Sequence, residues 1–287
     1  MLTDYHLHLQ PDGEEARTAD AHRWDAAGGP RSPAWIGRYV DRARSRAVEE
    51  IAITEHVHRF ADVRDWHPNA WWQEEATEDL VTHCAALVSA REDHGLPVLV
   101  GLEMDWIAGR EDDTRALLEA HPFDIVLGSV HWLGDLAIDH PDYPCWDSLG
   151  EHETWSRYLD ELAAAAGSGL FDVLAHPDLP KVFGTRMPAS LEGRRDEVIA
   201  AIADSGVAVE CSSAGLRKPI GELYPEPTWL AAFNRAGVPV TLSSDAHRPE
   251  DVAAGYPTAV AALRGAGYET ITRFRGRQPE QVGMRWA

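Results

Sequence analysis

Cysteine is scarce in this chain, and its scarcity excludes two kinds of site. The 287 residues include three cysteines, Cys84, Cys145 and Cys211, which are widely separated and form no Cys-x-x-Cys pair. A disulfide framework or a thiolate zinc site would need paired or clustered cysteines. We therefore interpret the three as small buried or incidental side chains.

Basic residues and long apolar runs are also few. The chain has 26 Lys and Arg against 47 Asp and Glu, a formal net charge of −21, which opposes non-specific nucleic-acid binding. No apolar run reaches the roughly 18 residues that suggest a membrane-spanning helix, and the N-terminus lacks the pattern of a signal peptide. We expect no nucleic-acid or membrane partner and a cytoplasmic location. A small anionic ligand stays possible because bound metal ions can reverse the local charge.

Short apolar runs alternate with segments of helical spacing. The runs lie at 2–7, 51–54, 97–102, 125–130, 173–175, 207–210 and 238–243, and the helix-like segments at 33–49, 73–94, 113–120, 154–168, 191–204 and 227–236. This alternation predicts an α/β fold with a parallel sheet covered by helices. Seven repeats favour a closed or nearly closed barrel, in one domain over residues 1–287. The alternative is an open doubly wound sheet, which no glycine-rich nucleotide-binding motif supports.

Glycines and polar stretches punctuate this pattern. Gly95, Gly169, Gly206 and Gly237 each follow a predicted helix, where a left-handed residue ends many helices. Two polar stretches, 14–32 and 135–153, do not fit the repeat. We predict that both are long loops over the mouth of the barrel, where insertions often serve binding.

Histidines and carboxylates stand where the predicted strands end. His6 and His8 are two residues apart, so a strand would point both side chains to one face. Asp245 and His247 repeat this spacing after the last apolar run. Further candidates follow the intervening runs: Glu55, His56, Glu103, His131 and His176.

This placement predicts a metal centre. Active-site groups of a parallel barrel come from the ends of several strands, so these side chains should meet at one face. Neutral imidazoles and carboxylates suit Zn²⁺, Mn²⁺ or Fe²⁺. A carboxylate can bridge two ions, which makes Glu103 or Asp245 a natural bridge, and closely spaced ions can activate a water for phosphoryl transfer.

In this order, the residues resemble the PHP (polymerase and histidinol phosphatase) superfamily. Its motifs appear as His6-Leu7-His8, Glu55-His56, His131 and Asp245-Ala246-His247, with Glu103 and His176 completing the pattern. The stretches 176–184 and 210–219 resemble the monofunctional histidinol-phosphatase branch. The resemblance implies a distorted (β/α)7 barrel, a trinuclear metal centre and hydrolysis of L-histidinol phosphate to L-histidinol and phosphate, a step of histidine biosynthesis.

The resemblance also implies a distribution of ligands. One ion would be held by His6, His8, Glu103 and Asp245, and a second by Glu103, His131 and His176. A third would be held by His56, His247 and a residue of the loop after His8. That loop reads Gln10-Pro11-Asp12-Gly13-Glu14-Glu15, so we expect Glu14 as the ligand, with Asp12 as the alternative.

Phosphate oxygens that face no metal require cationic donors. Arg217 and Lys218 are the leading substrate-binding candidates because a guanidinium can bind two oxygens and an ammonium supplies a mobile charge. Lys181 and Arg186 are further candidates. In the expected mechanism a metal-bridging hydroxide attacks phosphorus, with Asp245, His247 and Arg217 as catalytic residues.

Several other side chains are expected to orient the ligands or to line the pocket. Glu55 is expected to orient a ligating imidazole, and His58 to support a ligand or contact the substrate. Trp106 and Trp132 follow predicted ligands closely, so either could form a wall of the pocket. We expect the remaining histidines to be non-ligands: His22, His67, His83, His94, His121, His140 and His152.

Other functions fit parts of the pattern. A PHP phosphoesterase could act on a nucleotide or sugar phosphate, and a PHP-like module could be non-catalytic. An amidohydrolase also places His-x-His and a late Asp around a barrel, but no suitable lysine for carboxylation stands at a strand end. No Gly-x-Ser-x-Gly elbow or Cys/His pair supports a covalent route.

Overall fold

Seven parallel strands form the centre of the protein in a computed structural model that describes residues 1–11 and 13–285, apart from the side chain of Glu14. Each strand overlaps one of the predicted apolar runs. Their bounds are Thr3–Asp4 (β1), Glu50–Ile53 (β2), Val98–Asp105 (β3), Ile125–Ser129 (β4), Val173–Leu174 (β7), Ala208–Ser212 (β8) and Val240–Ser243 (β9). Two short strands outside this sheet are β5 (Trp132–Leu133) and β6 (Leu136–Ala137). The order in the sheet is β1-β2-β3-β4-β7-β8-β9.

The first and last strands meet and nearly close the sheet. The Tyr5 amide donates to Leu242 O (3.3 Å), and the His8 amide donates to Ala246 O (2.8 Å). The Ala246 amide donates in return to His6 O (3.3 Å). The predicted barrel is confirmed, and its closure brings residues near 6 beside residues near 246.

Helices surround the strands. They are α1 (Glu14–Asp25), α2 (Pro33–Ser45), α3 (Ala70–Glu75), α4 (Leu80–Glu92), α5 (Glu111–Glu119), α6 (Cys145–Gly167), α7 (Glu192–Ser205), α8 (Pro227–Arg235) and α9 (Tyr256–Ala266). α2 begins where Ser32 Oγ accepts the Trp35 amide (3.1 Å), with Pro33 in its first turn. Gly95, Gly169, Gly206 and Gly237 have φ angles of 65 to 77°, as predicted for left-handed residues after helices. No helix of the described chain is both long and apolar enough to cross a bilayer.

The prediction of loops at 14–32 and 135–153 is wrong for much of both stretches. Residues 14–25 form α1, whose polar sequence lacks the apolar periodicity that marks most buried helices. Among the described side chains of this helix, Trp24 is buried, and it packs edge-on against Trp35. In the second stretch, β6 pairs with β5, and α6 already begins at Cys145 with a kink at Gly150.

The predicted helix at 73–94 is also divided. α3 ends at Glu75, and α4 starts only at Leu80, where the Asp79 carboxylate caps it by accepting the Thr82 amide (2.7 Å). A side-chain cap of this kind satisfies an amide that has no partner within the helix.

A C-terminal hairpin closes the end of the barrel where the strands begin. β10 (Thr270–Arg275) pairs antiparallel with β11 (Gln278–Gly283). Phe274 joins the barrel-interior core and contacts Tyr5 edge-on, and Arg277 Nε pairs with Asp172 (3.0 Å). The hairpin therefore packs at the end of the barrel opposite to the one where the strands finish and the predicted ligands stand.

Candidate metal centre

The carboxylate of Glu103, on β3, lies at the middle of the cluster of predicted ligand histidines. It is fully buried, and five imidazoles surround it: His6, His8, His56, His131 and His176. Oε2 lies 3.3 Å from His6 Nε2 and 3.7 Å from His8 Nε2, and it contacts His56 Nδ1. Oε1 lies 3.2 Å from His176 Nε2 and 3.6 Å from His131 Nε2. Glu103 thus presents an oxygen to each side of the cluster.

Asp245 supplies a second carboxylate after β9. Its Oδ1 lies 3.4 Å from His8 Nε2, 3.7 Å from His6 Nε2 and 3.6 Å from His247 Nδ1. Asp245 has φ 48° and His176 has φ 28°, conformations that non-glycine residues rarely adopt. Such strain costs about 1–3 kcal/mol per residue and is characteristic of functional sites.

Among the described residues, three overlapping groups of side chains have the spacing to hold a metal ion. They are His6, His8 and Glu103; His56, Glu103 and His131; and His8, His56 and His247. Within each group the ligand atoms lie within 4.8 Å of one another. Several divalent ions can therefore share this cluster. The structure brings together His6, His8, His56, Glu103, His131, His176, Asp245 and His247, all of which were predicted from strand ends.

The donor set fits such ions. Several buried polar atoms find no hydrogen-bond partner among the described residues: His6 Nε2, both ring nitrogens of His8, Glu103 Oε2 and Asp245 Oδ1. Burying an unsatisfied polar group costs about 1–3 kcal/mol. Imidazole nitrogens and carboxylate oxygens that converge in this way suit a first-row divalent cation.

Burial and neighbouring charged groups shift the pKa values of the side chains in the cluster. Burial opposes ionisation of Glu103, but His56, His6 and His131 hold its pKa well below the ordinary value. Burial, together with neighbouring His56 and His247, lowers the pKa of His8 to about 4. At neutral pH the carboxylate is therefore anionic, and the His8 imidazole is neutral with a lone pair free to bind a metal.

Two buried carboxylates orient the ligating histidines, and neither role was predicted. Glu210 of β8 accepts the His176 amide at Oε1 (2.7 Å), and its Oε2 lies 3.0 Å from His6 Nδ1. Asp105 Oδ1 lies 2.7 Å from His131 Nδ1. Partners of this kind fix which ring nitrogen faces the metal. Asp105 follows Glu103 by two residues on the same strand, a spacing that could have identified it.

Glu55 contributes to the segment after His8. It is buried, accepts the Leu9 amide (2.5 Å) and pairs with Arg59 Nε (3.1 Å). Its Oε2 lies 3.8 Å from His8 Nδ1, consistent with the support expected of it. The next predicted ligands, Asp12 and the side chain of Glu14, lie outside the described residues.

Of the four predicted phosphate-binding residues, Arg217 and Lys218 lie near the metal centre. Arg217 Nη2 donates to Ser244 O (2.7 Å) and Asp245 O (3.1 Å), so its guanidinium lies beside the last ligand segment. Lys218 lines the cavity at the metal centre.

Lys181 and Arg186 are already paired with carboxylates. Lys181 Nζ is buried, pairs with Asp178 (2.7 Å) and donates to Leu223 O (2.6 Å). Arg186 pairs with Glu226 (2.9 Å). The described residues that line the cavity at the metal centre include neither side chain.

The cavity beside the cluster has a volume of about 190 Å³. Its lining consists of two cluster histidines and mostly aromatic neighbours: His56, His58, Trp71, His131, Trp132, Asp139, His140 and Lys218. Trp132 and His58 thus border the pocket, as expected. Trp106 does not: it donates to Glu161 Oε2 (2.7 Å) and packs against Phe171.

Known proteins are similar to this chain in sequence. The PHP domain model matches residues 31–214. A probable histidinol-phosphatase of Deinococcus radiodurans is 31% identical over 97% of this chain and 99% of its own length. The histidinol-phosphatase of Bacillus subtilis is 25% identical over 77% of this chain and 90% of its own.

A solved structure has the same fold. It is histidinol phosphate phosphatase from Lactococcus lactis subsp. lactis, complexed with zinc, L-histidinol and phosphate. It superimposes with a TM-score of 0.75 at 20% identity, over 97% of this chain and 98% of that one. From the matched domain, the relatives and the shared barrel together, the chain belongs to the PHP domain family.

Proposed function

We propose that the protein is a metal-dependent phosphomonoesterase that hydrolyses L-histidinol phosphate to L-histidinol and phosphate. The observation that carries this proposal is the buried Glu103 carboxylate among five imidazoles at the open end of the barrel. The substrate is inferred from the relatives in Deinococcus radiodurans and Bacillus subtilis and from the ligands named for the Lactococcus lactis enzyme.

We assign two or three divalent ions, Zn²⁺, Mn²⁺ or Fe²⁺, to this centre. The first would bind His6, His8, Glu103 and Asp245; the second Glu103, His131 and His176; and the third His56, His247 and either Glu14 or Asp12. Such ions lower the pKa of bound water and neutralise charge on phosphoryl oxygens.

The chain's own groups then position the ester and handle its charge. Glu210 and Asp105 hold the rings of His6 and His131 in a fixed orientation. Arg217, whose Nη2 is held by backbone carbonyls, retains other N–H groups that can bind a phosphate oxygen. Lys218 supplies a further mobile charge at the cavity.

Hydrolysis forms a bond from the water oxygen to phosphorus and breaks the ester P–O bond, so the departing alkoxide needs a proton. Asp245 and His247 keep 14% and 23% of their side-chain surface exposed, so both can be reached from the solvent. We assign catalytic roles to Asp245, His247 and Arg217 on this basis. A small ester suits the net charge of −21 better than a nucleic acid does.

A metal-supplemented phosphatase panel tests the proposal. It would compare L-histidinol phosphate with a nucleoside monophosphate and a sugar phosphate, after removal and re-addition of Zn²⁺, Mn²⁺ or Fe²⁺. We expect the highest kcat/KM for L-histidinol phosphate. Negligible release from that compound alongside turnover of another ester would instead favour a PHP phosphoesterase of different specificity. A well-folded protein with no bound metal and no metal-stimulated turnover would favour the non-catalytic module.

A further inference from the structure

One side of the cavity at the metal centre is an aromatic wall. The Trp71 ring centroid lies 6.0 Å from that of Trp132, 4.7 Å from that of His58 and 4.7 Å from that of His140. All four rings line the cavity, together with the Asp139 carboxylate. The two tryptophans, His140 and Asp139 lie outside the three groups that could hold a metal.

Several segments build this wall and hold it in place. Trp71 lies on α3, Trp132 on β5, and Asp139 and His140 follow β6. The Trp71 amide donates to Tyr143 Oη (3.3 Å), and the Tyr143 ring packs edge-on against Trp132. Because the rings are packed before any ligand arrives, little conformational entropy is lost when a ligand binds.

The chemistry of the wall favours an organic cation. Aromatic faces attract cations electrostatically, and tryptophan does so most strongly. Among the described residues, no hydrogen bond or ion pair engages the Asp139 carboxylate, whose charge acts on His131 only at longer range, so it can pair with an ammonium group in the cavity. The volume of about 190 Å³ is below the roughly 300–1,000 Å³ of sites for drug-sized ligands, which suits a small molecule.

We infer that Trp71, Trp132 and Asp139 form a specificity site for the cationic organic part of the substrate. The ammonium group would pair with Asp139, and a flat heteroaromatic ring would lie against the two tryptophans. This inference rests on the proposed function, because L-histidinol phosphate carries its phosphate at one end and its amine and imidazole beyond it. The site selects phosphomonoesters of cationic, aromatic amino alcohols over esters of neutral alcohols.

Asp139→Asn tests this selection with little change in shape. We expect kcat/KM for L-histidinol phosphate to fall on the order of 10- to 100-fold, mainly through KM, as for loss of a hydrogen bond to a charged group. Activity on p-nitrophenyl phosphate, which has no cation, and the metal content should stay unchanged. Asp142→Asn, an exposed carboxylate of the same loop, is the matched control and should leave both activities unchanged. Trp71→Leu should lower binding of L-histidinol by calorimetry without loss of metal.

The two proposals fail in different ways. If wild-type protein releases phosphate from p-nitrophenyl phosphate but not from L-histidinol phosphate, the proposed function is wrong. The specificity site is wrong if Asp139→Asn leaves the ratio of the two kcat/KM values and the affinity for L-histidinol unchanged. An equal loss on both esters would also overturn it, because the residue would then act on the metal centre or the fold. Calorimetry with L-histidinol tests the site even without turnover, since absence of binding to wild-type protein contradicts it.

Discussion

Glu103→Gln is the sharpest test of the metal centre. The substitution keeps the shape of the side chain but removes the charge and replaces one oxygen by an amide that cannot bind a metal. Glu103 belongs to two of the three candidate groups, one with His6 and His8 and the other with His56 and His131. Both groups would therefore lose the negative charge of Glu103, and the group with His6 and His8 would keep only the neighbouring Asp245 as an anionic ligand.

The size of the effect can be worked out from these contacts. Loss of a charge-assisted contact costs about 1.5–3 kcal/mol, so two groups together lose about 3–6 kcal/mol. At about 1.4 kcal/mol per tenfold, this corresponds to roughly 100- to 10,000-fold weaker metal retention across the centre. We expect kcat/KM for phosphate release to fall by a similar factor, because the metals supply the reaction's electrostatic stabilisation.

Metal content after exhaustive dialysis and steady-state phosphate release are the two measurements. Circular dichroism establishes that the variant is folded. Glu119→Gln, at the exposed end of α5, is the matched control and should keep metal and activity. Full metal content and full activity in Glu103→Gln would refute the bridging position of this carboxylate.

Four other changes probe the phosphate site, the metal centre and the packing of the barrel. Arg217→Ala should lower kcat/KM for the phosphate ester about 10- to 100-fold with metals retained; metal loss would show that its bonds to backbone carbonyls are its main role. Glu210→Gln removes the carboxylate that faces His6 Nδ1, and metal titration should show about 10- to 100-fold weaker affinity; unchanged affinity would contradict that orienting role. Chelation should lower the Tm in calorimetry, since metal at 100 times its Kd stabilises by about 2.7 kcal/mol, and an unchanged Tm would argue against a resident metal. Gly128→Ala would place its Cβ 2.3 Å from Phe171 Cγ and should cost about 1–3 kcal/mol in urea denaturation; unchanged stability would mean that the ring moves aside freely.

The barrel could be predicted because its strands are buried on both faces. Runs such as 51–54 and 125–130 are mostly apolar and carry no charged residue, and the structure has β2 and β4 there with every residue buried. Elements without such a pattern were missed. α1 is polar on nearly all sides, and most of β11 is exposed, so neither carries the apolar periodicity on which sequence reasoning depends.

The sequence by itself determined which side chains could bind a metal. His6 with His8 and Asp245 with His247 are two residues apart at strand ends, and a strand's alternation sets the face to which each points. That information is local, so it can be read without the fold. Glu103 was predicted as a ligand from its strand end, and its position among five imidazoles is what the fold adds.

Only the tertiary structure decided which groups stand next to these ligands. Glu210 approaches His6 across 204 positions of the chain, and Trp71 reaches Trp132 from a separate helix. Such distances depend on barrel closure, on strand register and on the packing of the outer segments. No local spacing specifies them, because they result from long-range contacts that form only when the whole chain is folded.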